Sequence, residues 1–170
     1  LLLAASLDVN AFDFNWSSLG WTDSDLHEHF TNVDGSGVEV TVEVSGATRR
    51  LQDRTPRLNN GLFELEPNFG HKYEEILVKF SFSEPVTVSG FDVFDIDSGA
   101  GGGSNFQDEV VITAAGGSLL PNGVTFGSNV RQASQERYDS RGSSVPDKDP
   151  RGQLTFSFDN QPITEFTIVY

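Results

Sequence analysis

Asp95 and Asp97 stand two residues apart at the end of the stretch Phe91-Asp92-Val93-Phe94-Asp95-Ile96-Asp97. A glycine-rich turn, Ala100 to Ser104, separates them from Asn105-Phe106-Gln107-Asp108, which opens the next apolar stretch. On a strand, residues two apart share a face. Alternation therefore puts Asp95 and Asp97 on the side of Phe91 and Val93, and Asp108 on the side of Phe106, Val110 and Ile112. Carboxylates gathered on core-facing sides lose hydration and repel one another, so they need a cation or a proton. Calcium is the expected ion, because it accepts roughly six to eight oxygen ligands in loose geometry. Asp95, Asp97 and Asp108 would supply charged oxygens, and Asn105 with the turn backbone neutral ones. Magnesium demands a tighter octahedron, and zinc prefers nitrogen or sulfur that this loop lacks. The spacing is not that of an EF-hand: counted from Asp97, the third and fifth positions are Gly99 and Gly101. The competing reading is a solvated turn in which Asp97 caps backbone amides.

Other chemistry is poorly provided for. His27 and His29 share a strand face, and with His71 and Asp23 or Asp25 they form a conceivable zinc set; exposed surface histidines are the plainer reading. No Gly-x-Ser-x-Gly elbow, P-loop or dinucleotide fingerprint occurs. Carboxylate pairs of the glycosidase kind are too many to single one out among 25 acids. The chain is therefore read as non-catalytic. Carbohydrate binding is the alternative, through aromatic rings that stack on sugar faces. Trp21 and Tyr138 are its named candidates beside Trp16 and Tyr73, with core packing as the competing role of each.

The composition sets limits on partners. A net charge of −14, from 25 acidic against 11 basic residues, repels phosphate backbones and argues against nucleic acid. Most of this charge is read as a solvating surface. The absence of Cys rules out disulfides and thiolate chemistry, but not an extracellular address. No apolar run approaches the ~20 residues of a membrane span. Leu1-Leu2-Leu3-Ala4-Ala5-Ser6 reads as the tail of a signal peptide, or as an apolar strand exchanged between copies within Leu1–Leu7.

The elements that must position these residues are strands. Val38 to Val44, Ile76 to Phe82, Val86 to Val93, Phe106 to Ala114, Leu154 to Phe158 and Thr164 to Tyr170 all show period-two patterning. Shorter strands are expected over Phe12–Trp16, His29–Val33 and Leu62–Leu65, and one helical turn near Asp23–Glu28. Glu84-Pro85 should break the second strand, and Asp159-Asn160-Gln161-Pro162 should close a terminal hairpin. Thr48–Asn60 and Asn129–Gly152 read as long surface loops. The sum is one domain over 1–170, an all-β, jelly-roll-like sandwich of roughly eight to ten antiparallel strands.

Trp21-Thr22-Asp23 with Phe30-Thr31-Asn32-Val33-Asp34-Gly35-Ser36-Gly37-Val38 resembles the N-terminal part of β-sandwich domains in secreted, multidomain bacterial surface proteins. Phe94-Asp95-Ile96-Asp97 with Phe106-Gln107-Asp108, and the closing Leu154-Thr155-Phe156 and Ile163-Thr164, resemble later parts of the same domains. The resemblance implies a cell-surface or adhesin-like module, structural rather than catalytic. Its expected partners are further copies of itself, other surface-protein domains or glycans. The arginine-rich stretch Asn129–Gly152 is longer than that pattern accommodates.

Overall fold

The computed structural model describes residues 14–101, 104–146 and 148–170. The readings of Leu1–Ser6, and of Phe12 and Asp13 within Phe12–Trp16, lie outside them. Fourteen strands form among the described residues. They are β1 (His27–Phe30), β2 (Val40–Gly46), β3 (Arg57–Asn59), β4 (Leu62–Glu64) and β5 (Ile76–Val86). Then come β6 (Phe91–Val93), β7 (Ser98–Gly101), β8 (Ser104–Gln107), β9 (Glu109–Ala114) and β10 (Gly123–Phe126). Last are β11 (Val130–Gln132), β12 (Arg137–Ser140), β13 (Leu154–Ser157) and β14 (Ile163–Val169). The one α-helix among these residues, α1 (Trp16–Leu19), starts where Asn15 accepts the Ser17 N–H at 2.9 Å.

Seven strands make one antiparallel sheet in the order β1-β2-β5-β14-β9-β12-β11, and three make another, β10-β13-β6. Two-stranded ribbons β3-β4 and β7-β8 complete an all-β, sandwich-like fold. Alternation explains the large sheet directly. Val40, Val42 and Val44 on β2 and Ile76, Val78 and Phe80 on β5 are all buried, while the residues between them face outward.

Phenylalanine fastens the two sheets. Phe80 and Phe166 stack at 4.5 Å, and Phe91 of β6 meets each of them edge-on at 5.3 Å. Phe156 of β13 closes on Phe166 at 5.6 Å. Beyond the small sheet the same core face is covered by Trp16, stacked on Phe63 of β4 at 4.8 Å and reaching Phe80 at 6.0 Å.

Several expectations need correction. The terminal pair is not a hairpin: β13 lies in the small sheet and β14 in the large one. Asp159–Pro162 therefore turns a corner of the sandwich, because Phe156 and Phe166 must face each other across the core. Glu84-Pro85 does not end β5. Pro85 lies past Phe82, where pairing with β2 stops, and inside a register shift against β14, so its missing N–H breaks no ladder. Val86–Val93 is not one strand, since only Phe91–Val93 pairs, as β6. Asp23–Glu28 forms a turn closed by the Asp25 N–H on Thr22, not a helical one, and pairing begins at His27.

The stretch Asn129–Gly152 is largely structured. It carries β11 and β12 at the edge of the large sheet, with Val130 and Tyr138 buried. Arg131 there grips the buried carboxylate of Asp139 with two bonds, at 2.6 and 3.2 Å. Thr48–Asn60 likewise holds a 3-10 turn at Thr48–Arg50 and strand β3.

Candidate functional site

The aspartate-rich segment leaves the small sheet at Val93 and crosses toward the large one. Asp95 takes a left-handed backbone, φ +63°, which breaks the expected alternation. Asp95 is consequently exposed, Ile96 is fully buried and Asp97 is 5% exposed. The Ile96 N–H donates to Gly152 O at 3.0 Å. Gly152 must be small there, since an added Cβ would stand 2.9 Å from Val145 and 3.3 Å from the Ile96 backbone.

Asp108 is where the expected strand Phe106–Ala114 divides into β8 and β9. Its N–H donates to Asp97 O at 2.9 Å, and Oδ2 accepts the Asp97 N–H at 3.0 Å. Its carbonyl accepts the Ser140 N–H at 3.1 Å. Pairing the backbone with Asp97 and Ser140 turns the chain, so Phe106 points to solvent instead of joining Val110 and Ile112 in the core.

The two carboxylates fasten distant segments. Asp97 Oδ2 accepts the Val145 N–H at 2.8 Å, a buried bond across 48 residues. Asp108 Oδ1 accepts the Tyr170 hydroxyl at 2.5 Å. Beside them Ser98 Oγ donates to Gly142 O, and Gln107 Nε2 donates to Ser140 O at 2.6 Å. The result is a clasp that joins the β6 exit, the β7-β8 ribbon, the 140–145 segment and the C-terminal end of β14.

Tyr170 is a member that carboxylate patterning missed. Its signal was the alternation Phe166, Ile168, Tyr170, which carries an aromatic to the inward side of the strand's end. Burial, then the charges of Asp108, Asp95 and Asp97, push its phenol far above its ordinary range. Of the three predicted aspartates, Asp108 is the one that bonds this hydroxyl directly. Asn105 lies on β8, paired with Ala100 across the ribbon. Among the described residues there is no group of three or more His, Asp or Glu that could hold a metal ion in this conformation.

Burial raises the Asp108 carboxyl above its ordinary value of 3.8, and the nearby Asp97 charge adds to this, against the bonds from Tyr170 and the Asp97 N–H. The fold therefore holds a proton on Asp108 more tightly than the unfolded chain does. That contribution is complete below about pH 3.8, where both states are protonated, and it declines as pH rises through the folded-state value. Asp108→Asn should flatten this part of the stability–pH curve in chelator. An unchanged slope in the variant would show that Asp108 is not its source.

The remaining candidates lie elsewhere. His27 and His29 are exposed on β1, His27 opposite Glu43, and His29 within 3.1 Å of the Thr41 hydroxyl and 3.6 Å of Glu39. His71 sits in the loop before β5, where its ring meets Tyr73 at 5.0 Å. Tyr138 is 2% exposed. Trp21 is half-buried and edge-on to Phe63 at 4.7 Å, within the Trp16–Phe30–Phe63 cluster. Tyr73 is the ring that lies open, 75% exposed, with Lys72 Nζ 4.9 Å from its centroid. No helix among the described residues is long and apolar enough to cross a membrane. The chain matches no family model, no curated protein and no solved structure.

Proposed function

We propose that this chain is a non-catalytic structural or adhesive module of an extracellular, cell-surface protein, stabilised by calcium at Asp95, Asp97 and Asp108. The observation that carries the reading is the pairing of Asp97 with Asp108, whose Oδ2 takes the Asp97 N–H and whose Oδ1 takes the Tyr170 hydroxyl, in a chain with no cysteine. Burial of Asp108, with the Asp97 charge beside it, makes its ionised form costly. A carboxylate offers four lone pairs, so the bonds from Val145, Asp97 and Tyr170 do not exhaust the oxygens. The exposed Asp95 side chain would turn inward to complete the set, with Asn105 and backbone carbonyls supplying neutral ligands. The ion would tie the small sheet's exit to the end of the large sheet, a role that disulfides fill in other secreted domains. Further copies of the chain and neighbouring surface domains are the partners such a module would meet.

The test is thermal unfolding in calcium and in chelator. At free calcium a hundredfold above Kd, linkage stabilises by about 2.7 kcal/mol. For a chain of this length that raises Tm by roughly 5–10 °C. Equal melting in calcium and chelator would remove the ion from the account.

A second reading, carbohydrate binding, is favoured by one observation, the open ring of Tyr73. If it is a stacking platform, Tyr73→Ala abolishes glycan-array binding without lowering Tm. Unaltered binding in that variant would exclude this ring.

A further inference from the structure

An open groove of about 490 Å³ lies between the approach to β1 and the Thr48–Thr55 segment. Its walls carry Leu26, Thr48, Arg49, Leu51, Gln52 and Arg54. Four of the chain's 11 basic residues fall between positions 49 and 57, against a net charge of −14. Two of them, Arg49 and Arg54, stand at this groove with side chains 69% and 78% exposed. Arg49 pairs with Glu74, and Arg54 with Asp23 at 3.1 Å. Each guanidinium has five N–H donors, so one such pair leaves donors to spare. Asp53 also lines the groove, so an acid stands beside the two arginines.

The backbone here is also unusual. Ser24, Asp53 and Arg54, all at the groove, have φ of 71°, 51° and 63°. Three non-glycine residues in left-handed conformation at one groove mark a segment held against its local preference.

From these spare guanidinium donors and this lining we infer that the groove binds an acidic polysaccharide, a chain of uronate sugars. Arg49 and Arg54 meet carboxylates through planar forks. The hydroxyls of Ser24 and Thr48 and the Gln52 amide match a polyhydroxylated ligand. Leu26 and Leu51 give an apolar wall to the C–H face of a sugar ring. The volume falls within the ~300–1,000 Å³ of small-ligand sites. The guanidinium donors left over from the pairs with Glu74 and Asp23, not a net positive field, are what meet the ligand's carboxylates. The site is separate from the aspartate clasp and stands whether or not that clasp holds calcium.

The experiment is calorimetric titration of the full chain with oligogalacturonate, with its methyl ester and with poly-glutamate, in chelator. Saturable binding to oligogalacturonate is expected, at least tenfold weaker for the uncharged ester and for the Arg49→Gln/Arg54→Gln variant. Both arginines are largely exposed, so that variant should fold, and an unchanged Tm will confirm it. Arg49→Lys/Arg54→Lys keeps the charge but not the fork, and should bind at an intermediate level. No binding, equal binding of the ester, or an unaffected glutamine variant each overturns the inference. Poly-glutamate binding as tightly as the uronate also overturns it, in favour of an acidic-peptide dock.

Discussion

Phe166→Ala is expected to destabilise the fold by about 3–5 kcal/mol, the range for removing a buried phenylalanine. Phe166 is the ring on which the sandwich closes. It stacks on Phe80 at 4.5 Å and meets Phe91, Phe156 and Phe158 at 5.3, 5.6 and 6.4 Å, so it touches strands of both sheets. Truncation removes burial and leaves a cavity that neighbours on two sheets cannot collapse to fill. Domains are stable by only about 5–15 kcal/mol, so the variant will stand near its unfolding threshold. Urea titration is the measurement. Phe166→Leu keeps most of the volume and should lose markedly less, which separates packing from misfolding. A loss below ~1 kcal/mol for the alanine variant would be that of a surface residue and would contradict the packing described.

Asp97→Ala is expected to cost about 1–3 kcal/mol in chelator, the penalty of leaving a buried donor without its acceptor. The donor is the Val145 N–H, 2.8 Å from Asp97 Oδ2 in a buried bond. Asp97→Asn keeps an oxygen for that N–H and relieves repulsion with Asp108, so in chelator it should cost less than alanine. In calcium the order carries different information. The asparagine variant loses a charged ligand, and its Tm should no longer respond to calcium, although its fold is intact. Equal losses for alanine and asparagine in chelator would show that charge, not the bond to Val145, is what Asp97 contributes.

The strands were legible wherever one face is buried and the other wet. Val40 to Val44 and Ile76 to Phe80 alternate because one face packs and the other does not. The arginine-rich stretch hid β11 and β12 because an edge ribbon needs few apolar residues, and Val130 and Tyr138 sufficed. The corner at Asp159–Pro162 was read as a hairpin because the turn residues are the same in both cases. Which sheet the next strand joins depends on distant partners such as Phe91 and Phe80.

The clasp was legible in part for the same reason. Period-two reading pointed to Asp95, Asp97 and Asp108, and Asp97 is inward as expected. It missed the left-handed turn at Asp95, although Asp is among the non-glycine residues that most readily adopt that backbone, and the division of the strand at Asp108. Tyr170 and Val145 lie 62 and 48 residues from the aspartates they bind, beyond the reach of any local pattern. The competing reading, Asp97 as a cap for backbone amides, describes the bond to Val145; it does not address the buried carboxylate of Asp108 beside it.

Whether that charge is met by calcium is tested most directly by a crystal structure of the chain grown in calcium, with anomalous differences recorded. One ordered peak is expected among Asp95, Asp97 and Asp108, with carboxylate oxygens about 2.3–2.6 Å away. An empty difference map there at saturating calcium, with Asp97 still on the Val145 N–H and Asp108 on the Tyr170 hydroxyl, would contradict it.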